Sequence, residues 1–449
     1  MPQEKFATIP EPVTGEPRRV PVTGGLRHTF RALSHRNYRL YFTGQVVSLT
    51  GTWMQQTALS WLIYQITGSK LLLGVVSAAG SAPMMLFSIW GGSLADRHSK
   101  RKILLITQTC SMIFAFVLAA AVWIGGIEPW LIICIAILNG SALGFDMPAR
   151  QSFMVELVGH KDLINAVSLN SSVVNGARIT GPSLAGVLLG SAGAAACFFL
   201  NALSYVAVLI SLWRMRVPPV SASLASRRAG GGEHALSGVR YVLRHPRVRT
   251  ILALFGIVGV FGWSYAVLMP ALARDHLGLD ASGYGLLMAA SGLGALCGAL
   301  TIATYGDRLP HRSLALGGVW VFSVAVTTFA NVHYLPLSLV CLWFSGFGMM
   351  LFFSTSNTVL QTIVPDEMRG RVMGVWALIF GGMVPLGSLQ VGLLSPVIGT
   401  SATITFGAAV CATAAGVTLW LVRRREAALN VSSSSAPADG RVQPPADPD

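Results

Sequence analysis

Long apolar segments alternate with short polar connections along almost the whole chain. A helix needs about 20 predominantly apolar residues to cross the hydrocarbon core of a bilayer, and twelve segments meet this requirement. The predicted spans are residues 40–64, 72–95, 103–125, 130–149, 165–189, 194–213, 251–273, 284–305, 314–331, 335–356, 373–394 and 401–422. The pattern predicts an all-α membrane protein with twelve transmembrane helices, and the even number places both termini on one side.

One long polar connection divides the predicted spans into two sets of six. Its paired prolines and its run of three glycines indicate a flexible linker. The predicted organisation is an N-terminal cytoplasmic arm (1–39), a six-helix bundle (40–213), the linker (214–250), a second six-helix bundle (251–422) and a disordered cytoplasmic tail (423–449). The arm lacks the pattern of a secretory signal peptide.

The composition also indicates a membrane protein. Of the 449 residues, 53% are hydrophobic and 11% are charged, whereas soluble domains carry about 25% charged residues. All six cysteines lie within apolar segments, so we expect neither a disulfide framework nor a metal site. The sequence lacks the patterns of ATP binding, nucleophilic hydrolysis and zinc proteolysis, and we therefore expect neither an enzyme nor a bound cofactor.

The basic residues are distributed unequally between the two sides of the predicted membrane. A net charge of +14 would suit a nucleic-acid ligand, but most loop Lys and Arg residues lie on the side of the termini. The loops on the opposite side contain only Lys70 and Arg274. Because basic loops remain in the cytoplasm, the asymmetry predicts cytoplasmic termini and argues against a nucleic-acid partner. We expect the protein in a bacterial-type cytoplasmic membrane.

A dense charged turn joins the second and third predicted spans, and a fainter copy follows the eighth. Asp96 can face the positive N-terminal end of a helix in the other bundle, which we expect to be span 11. Arg101 can pair with Asp146 near the end of span 4. Ordinary positive-inside loop charges are the alternative, but they do not explain the acids. The predicted cytoplasmic gate comprises Gly92, Asp96, Arg97, Arg101, Asp146, Asp307 and Arg308.

The same turn carries a family resemblance. Residues 92–101 match the signature G-x-L-x-D-R-x-x-[RK]-[RK], and over roughly residues 35–425 the chain resembles the major facilitator superfamily. Shorter motifs that begin at Pro148, Asn175 and Pro365 resemble the enterobactin-exporter and macrolide-efflux branch. The resemblance implies the major facilitator fold, with two pseudo-symmetric six-helix bundles that alternate access to a central site. It also implies that protons drive transport.

Span 5 carries polar residues at three- and four-residue steps, which places them on one helical face. A charge as deep as Arg178 costs about 3 kcal/mol or more on insertion scales, so it should face a wet cavity or a partner. We consider two roles for it, an anion- or phenolate-attracting site and a structural cap on backbone carbonyls. Gly181 and Pro182 should shape the helix through a kink or a close contact. Their surroundings resemble the span-5 motif of drug antiporters, which favours export.

Span 1 carries a stripe of neutral polar residues. We predict that this stripe lines the central cavity, and hydrogen bonding between helices is the alternative. Aromatic residues of several spans should form the wall of a pocket for an amphipathic compound. The predicted substrate site comprises Gln45, Ser48, Thr52, Gln55, Asn175, Arg178 and Trp376.

These features predict a monomeric exporter of a small amphipathic compound, such as a siderophore or a drug, in exchange for protons. The acids and histidines that could carry the proton are all peripheral: Asp146, Glu156, Asp275, His276 and Asp280. Coupling to protons therefore follows from the resemblance and not from these residues. The alternatives are an importer of a nutrient or metabolite with the same fold, and a non-transporting membrane sensor.

Overall fold

The protein is all-helical in a computed structural model that describes residues 30–215, 231–306 and 308–434. A short 3-10 helix, Arg31–Ser34, precedes the first long helix. Within the described residues the helices are α1 (Arg36–Thr67), α2 (Lys70–Arg97), α3 (Lys100–Trp123), α4 (Pro129–Gly159), α5 (160–191), α6 (Gly193–Arg214), α7 (Gly231–Arg244), α8 (Pro246–His276), α9 (Ala281–Tyr305), α10 (His311–Asn331), α11 (Leu335–Ile363), α12 (Asp366–Ile398) and α13 (Thr400–Ser434).

Ten of the described helices are long and apolar enough to cross a membrane: α2, α3, α4, α6 and α8 to α13. The chain is therefore a multi-pass membrane protein. The helices at predicted spans 1 and 5, α1 and α5, are not among the ten. Both carry the stripes of polar side chains noted in the sequence, which lower their mean hydropathy.

Two helix boundaries differ from the predictions. The residues between predicted spans 4 and 5 are helical, and only Gly159, with φ 69° and ψ 176°, separates α4 from α5. The predicted disordered tail is helical up to Ser434, because residues 423–429 are nearly all strong helix formers. The rest of the tail, like residues 1–29 and 216–230, lies outside the described residues.

Helix α8 changes its winding several times. It passes from α-helix into a π-helix at Val258–Gly262, then a 3-10 helix at Trp263–Leu268 and a second π-helix at Leu272–His276. Pro270 explains part of this, since it cannot donate the next hydrogen bond of a regular helix and its ring excludes the carbonyl four residues before it. The irregular segment carries Trp263, which belongs to the candidate site described below.

The buried apolar residues mark two groups of helices. One set of core clusters draws almost entirely on α1 to α6, which we call the N-terminal group. The largest cluster draws mainly on α8 to α13, which we call the C-terminal group. Helix α7 packs on α12 of the C-terminal group, where a Cβ at Gly238 would lie 2.7 Å from the carbonyl oxygen of Arg371. The two groups meet mainly through α2 with α12 and α5 with α9.

Candidate transport pathway between the two helix groups

The two groups are joined by polar and aromatic contacts on the side of the α1–α2 turn, which we call the far side. The Tyr64 hydroxyl of α1 donates to the Asp275 carboxylate of α8. Trp61 stacks on Tyr284 of α9 with ring centroids 5.6 Å apart. Arg274 also donates to the main-chain carbonyl of Gln65 at 3.4 Å. These contacts close the gap between the groups on the far side.

Deeper in the molecule the groups touch through glycine backbones. A Cβ added to Gly74 of α2 would lie 2.9 Å from the Cα of Gly392 in α12. A Cβ at Gly186 of α5 would likewise lie 3.0 Å from the Cα of Gly285 in α9. Small residues allow such close approach between helices in lipid. Beside the first contact, the Ser77 and Ser388 hydroxyls are 2.8 Å apart.

The same helix faces are open on the other side, where α1 begins and α13 ends, which we call the terminal side. Gly92 lies about five turns after Gly74 on the same face of α2. On α12, Gly374 lies about five turns before Gly392, also on the same face. Among the residues that the structure describes, no atom lies within 4 Å of a Cβ added at Gly92 or at Gly374. The gap between the groups is therefore closed at the far side and open at the terminal side.

The polar stripe of α5 lies along this open face. Ser168 is about five turns from Gly186 on one helical face, and Ser168, Ser171 and Ser172 are exposed. The Asn175 amide donates to the Ser171 carbonyl at 2.9 Å. The face that packs on α9 at its far end thus presents hydroxyl groups to the gap at its terminal end.

Arg178 lies where the contact between α5 and α9 ends. Its guanidinium carbon is 4.8 Å from the ring centroid of Trp263 in α8 and 5.8 Å from that of Trp53 in α1. The side chain is half-buried and makes no hydrogen bond or ion pair with any residue that the structure describes. It does not cap backbone carbonyls, so the structural role considered for it is not observed.

An aromatic wall extends from Trp263 into the C-terminal group. Trp263 meets Phe353 edge to face at 5.6 Å between centroids, and Phe353 meets Phe255 in the same way at 5.0 Å. Trp376 stacks on Phe380 at 5.3 Å and is half-buried. The predicted substrate residues Arg178 and Trp376 are linked by this continuous set of rings.

Gly181 and Pro182 leave α5 helical, since Gly159 is the position with non-helical geometry in the run Pro129–Ser191. A Cβ at Gly181 would lie 2.5 Å from the Cβ of Trp53. The glycine therefore sets the close approach of α5 to α1, and this approach holds Trp53 beside Arg178.

The predicted position of the span-1 stripe in the central cavity is wrong. Gln55 accepts a hydrogen bond from Asn201 of α6 at 2.7 Å, and the hydroxyls of Thr52 and Tyr205 are 3.4 Å apart. Ser48 is buried, and Gln45 accepts from Arg150 of α4. The stripe holds the N-terminal group together because buried polar atoms need partners, and α4 and α6 supply them.

The predicted pair between Arg101 and Asp146 is also wrong. Arg101 instead donates to the carbonyl oxygens of Leu212 and Trp213, at 2.7 and 2.8 Å. These belong to the last turn of α6, whose carbonyls have no partner within the helix and attract a cation. The Asp146 carboxylate is already bound to Arg150, one turn further along α4, at 2.6 Å.

Asp146 is the centre of a buried network. It is 1% exposed, and besides Arg150 it accepts from the Thr107 hydroxyl at 2.8 Å and the Gln108 amide at 2.7 Å. Because Arg150 also donates to Gln45, the network joins α1, α3 and α4. This paired carboxylate stabilises the N-terminal group internally.

The remaining residues of the charged turn divide into two sets. Lys100 pairs with Glu156 of α4 at 2.7 Å, which joins two helices of one group. Asp96 and Arg97 are exposed and make no hydrogen bond or ion pair to a side chain within the described ranges. In the second copy of the turn, Arg308 is exposed, and Asp307 lies outside the described residues.

Two of the contacts between the groups have no signal in the sequence. Tyr64 resembles any interfacial tyrosine, and Ser77 and Ser388 resemble small residues in other spans. Their partners lie 211 and 311 positions away in the chain. The predicted peripheral acid Asp275 does lie in this set, through its contact with Tyr64.

Two helix groups whose gap is closed on the far side and open on the terminal side are the arrangement of a solute transporter. The chain belongs to the transmembrane secretion effector family of the major facilitator superfamily, whose model matches residues 27–445. This confirms the family resemblance seen in the charged turn.

Curated relatives cover most of the chain. It is 24% identical to the staphyloferrin A transporter of Staphylococcus aureus over 82% of this chain and 91% of that protein. It is 28% identical to the multidrug efflux pump Tap of Mycolicibacterium fortuitum, over 77% and 86%. It is 28% identical to the enterobactin exporter EntS of Salmonella typhi, over 76% and 82%.

The fold is similar to that of a solved transporter. A bacterial homologue of the human lysosomal transporter Spinster, in an inward-facing and unoccupied conformation, superposes with a TM-score of 0.65. The identity is 15%, and the match covers 89% of this chain and 96% of that one. At this identity the comparison shows the fold alone.

Replacing Asp146 by asparagine should destabilise the N-terminal group. The change leaves the Arg150 charge buried without its counter-charge, and breaking one side of a buried pair costs about 3–5 kcal/mol. We expect a lower midpoint of thermal unfolding in detergent, partly restored when Arg150→Gln is added. Asp280→Asn is the control: the Asp280 carboxylate caps the start of α9 by accepting from the Gly283 amide at 2.9 Å, and asparagine caps a helix equally well. Equal midpoints for Asp146→Asn and wild type would contradict the network.

Proposed function

We propose that this protein is a secondary active exporter of small amphipathic compounds. In this proposal twelve helices, α1 to α6 and α8 to α13, span the membrane as two six-helix bundles and alternate access to a central site. The observation that carries it is the asymmetry of the gap, with α2 and α12 in backbone contact at Gly74 and Gly392 and apart at Gly92 and Gly374. A pathway with one closed end and matching open faces is what alternating access requires.

The distribution of basic residues supports an orientation with the terminal side in the cytoplasm of a bacterial cell. The terminal side carries most of the loop Lys and Arg residues, and such loops remain cytoplasmic. The described conformation would then be open to the cytoplasm and ready to take up cargo for export. The names of the relatives, a multidrug efflux pump and an enterobactin exporter, support this direction and cargo class.

The proposed cytoplasmic gate is formed when the open faces of α2 and α12 meet. Gly92 and Gly374 then come together as Gly74 and Gly392 do on the far side. Asp96, one turn after Gly92, moves toward the N-terminal end of α12, whose unpaired N–H groups favour an anion. The exposed position of Asp96 in the present conformation fits a gate that is open.

The proposed cargo path follows the α5 stripe to Arg178 and the aromatic wall that includes Trp376. Hydroxyl groups along α5 solvate the polar parts of an amphipathic compound, and the rings contact its apolar parts. For the proton, we propose Asp275 as the first residue to test. Its partner Tyr64 lies in the other group, so rocking of the groups changes its environment.

Crosslinking the far side should stop transport. The Ser77 and Ser388 hydroxyls are 2.8 Å apart, so cysteines at both positions, in a variant without the native cysteines, should form a disulfide under oxidation. The bond would hold the far side closed, and efflux should fall to background and return when a reductant is added. Each single cysteine variant is the control. Efflux at the uncrosslinked rate by the oxidised double variant would refute alternating access at this face.

The Asp96→Asn variant should insert and fold but lose most of its transport, because the neutral amide cannot stabilise the closed gate as a carboxylate does. Efflux from cells, normalised to protein in the membrane, measures this loss. Glu156→Gln is the matched control, since it removes an acid whose partner Lys100 lies in the same group. Wild-type turnover by Asp96→Asn would remove the gate from the proposal.

Inverted membrane vesicles test export and proton coupling together. Vesicles that contain the protein should accumulate hydrophobic or catecholate compounds when respiration acidifies their interior, and a proton ionophore should abolish the accumulation. Vesicles with the oxidised Ser77→Cys, Ser388→Cys variant give the background. Accumulation that an ionophore leaves unchanged would refute proton coupling. Release of preloaded compound from the vesicles, in place of accumulation, would indicate import.

A further inference from the structure

We propose that Arg178 binds a planar anionic group, a carboxylate or a phenolate, carried on an aromatic part of the cargo. The role of this site in transport rests on the proposed export function, whereas binding itself can be measured separately. The site combines three elements: one guanidinium, two indole rings that flank it, and the aromatic wall that continues from Trp263.

The hydrogen-bond donors of the Arg178 guanidinium are left for a ligand. Its carbon lies over the rings of Trp53 and Trp263, 5.8 and 4.8 Å from their centroids, which is within cation–π range of both rings. The guanidinium carries five N–H donors in its own plane, and no acceptor among the described residues takes them. Two parallel N–H donors match the two oxygens of a carboxylate or of a catecholate.

The charge of Arg178 is also unbalanced. No carboxylate in the described ranges forms an ion pair with it, and the buried carboxylate of Asp146 is bound to Arg150. A guanidinium placed within a membrane protein without a counter-ion is costly. An anionic ligand supplies both the missing charge and the missing acceptors, whereas a cationic ligand would be repelled.

The neighbouring rings define the rest of the ligand. Trp263 continues into Phe353 and Phe255 with centroid distances of 5.6 and 5.0 Å. An aromatic ring attached to the bound anion can therefore stack or pack edge to face beside the guanidinium. The class of ligand that satisfies both parts is an aromatic acid or a deprotonated phenol.

The site is built from both helix groups. Arg178 and Trp53 belong to the N-terminal group, and Trp263 belongs to the C-terminal group. A rocking motion that opens the far side moves Trp263 relative to Arg178. Affinity for the anion thus depends on the conformation, which gives the pathway a means of holding cargo on one side and releasing it on the other.

Binding of 2-naphthoate and 2-naphthamide to the purified full-length protein tests this site. The two probes share one ring system and differ in charge. By titration calorimetry in detergent, the wild type should bind the acid on the order of 10- to 100-fold more tightly than the amide. Arg178→Gln should abolish this preference, and Arg178→Lys should reduce it, because a lysine keeps the charge and loses the planar pair of donors.

The control is Arg244→Gln on α7, an exposed arginine, which should leave the preference unchanged. Equal binding of both probes by the wild type, or an unchanged preference in Arg178→Gln, would overturn the proposal. If Arg178→Gln fails to fold, Trp263→Leu decides, since it should weaken binding of the acid through loss of stacking. Unaltered affinity of that variant would also overturn the site.

Transport measurements separate this proposal from the export function. A wild type that prefers the acid but accumulates no compound in inverted vesicles refutes export and leaves the anion site standing. Efflux of neutral compounds by a wild type without any preference for 2-naphthoate refutes the anion site and leaves export standing.

Discussion

The structure depends on close contact between glycine backbones on two pairs of helices. Lipid chains are as apolar as the helices, so association in the membrane relies on van der Waals contact over closely fitting surfaces. Gly74 with Gly392 and Gly186 with Gly285 provide such surfaces. A glycine face has no long side chains that must interlock or change rotamer, so it can separate and re-form at low cost. The repetition of glycine on the same faces, at Gly92 and Gly374, allows packing at either end.

Polar contacts are strong within the groups and few between them. Removing one partner of a buried ion pair such as Asp146 with Arg150 costs about 3–5 kcal/mol. A single hydrogen bond between membrane helices, such as Ser77 with Ser388, averages about 0.6 kcal/mol. Because the contacts between the groups are the weaker ones, they are the contacts that break when the molecule moves. Each group is held as a unit by its buried network, and the boundary between the groups is the part of the structure that opens.

Hydropathy alone predicted an all-helical membrane protein, because a bilayer leaves a long apolar segment few other structures. The cost of a buried charge singled out Arg178 as a residue that needs a wet cavity or a partner. The orientation of the α1 stripe could not be predicted from the sequence, since a polar helix face in a membrane can meet water or another helix equally well. Asn201, which donates to Gln55 of the stripe, lies 146 positions further along the chain. The Asp146 pair does have a local signal, because Arg150 follows one turn later on the same helix.

The mixed winding of α8 has a mechanical consequence. A π-helical turn contains about one residue more than an α-helical turn, and each residue of an α-helix advances the side-chain direction by about 100°. Trp263 lies between two such wide turns. Passing the surplus residue from one turn to the other would rotate the indole without moving the ends of the helix. Such a change of winding would turn the ring beside Arg178 without any motion of the groups as rigid bodies.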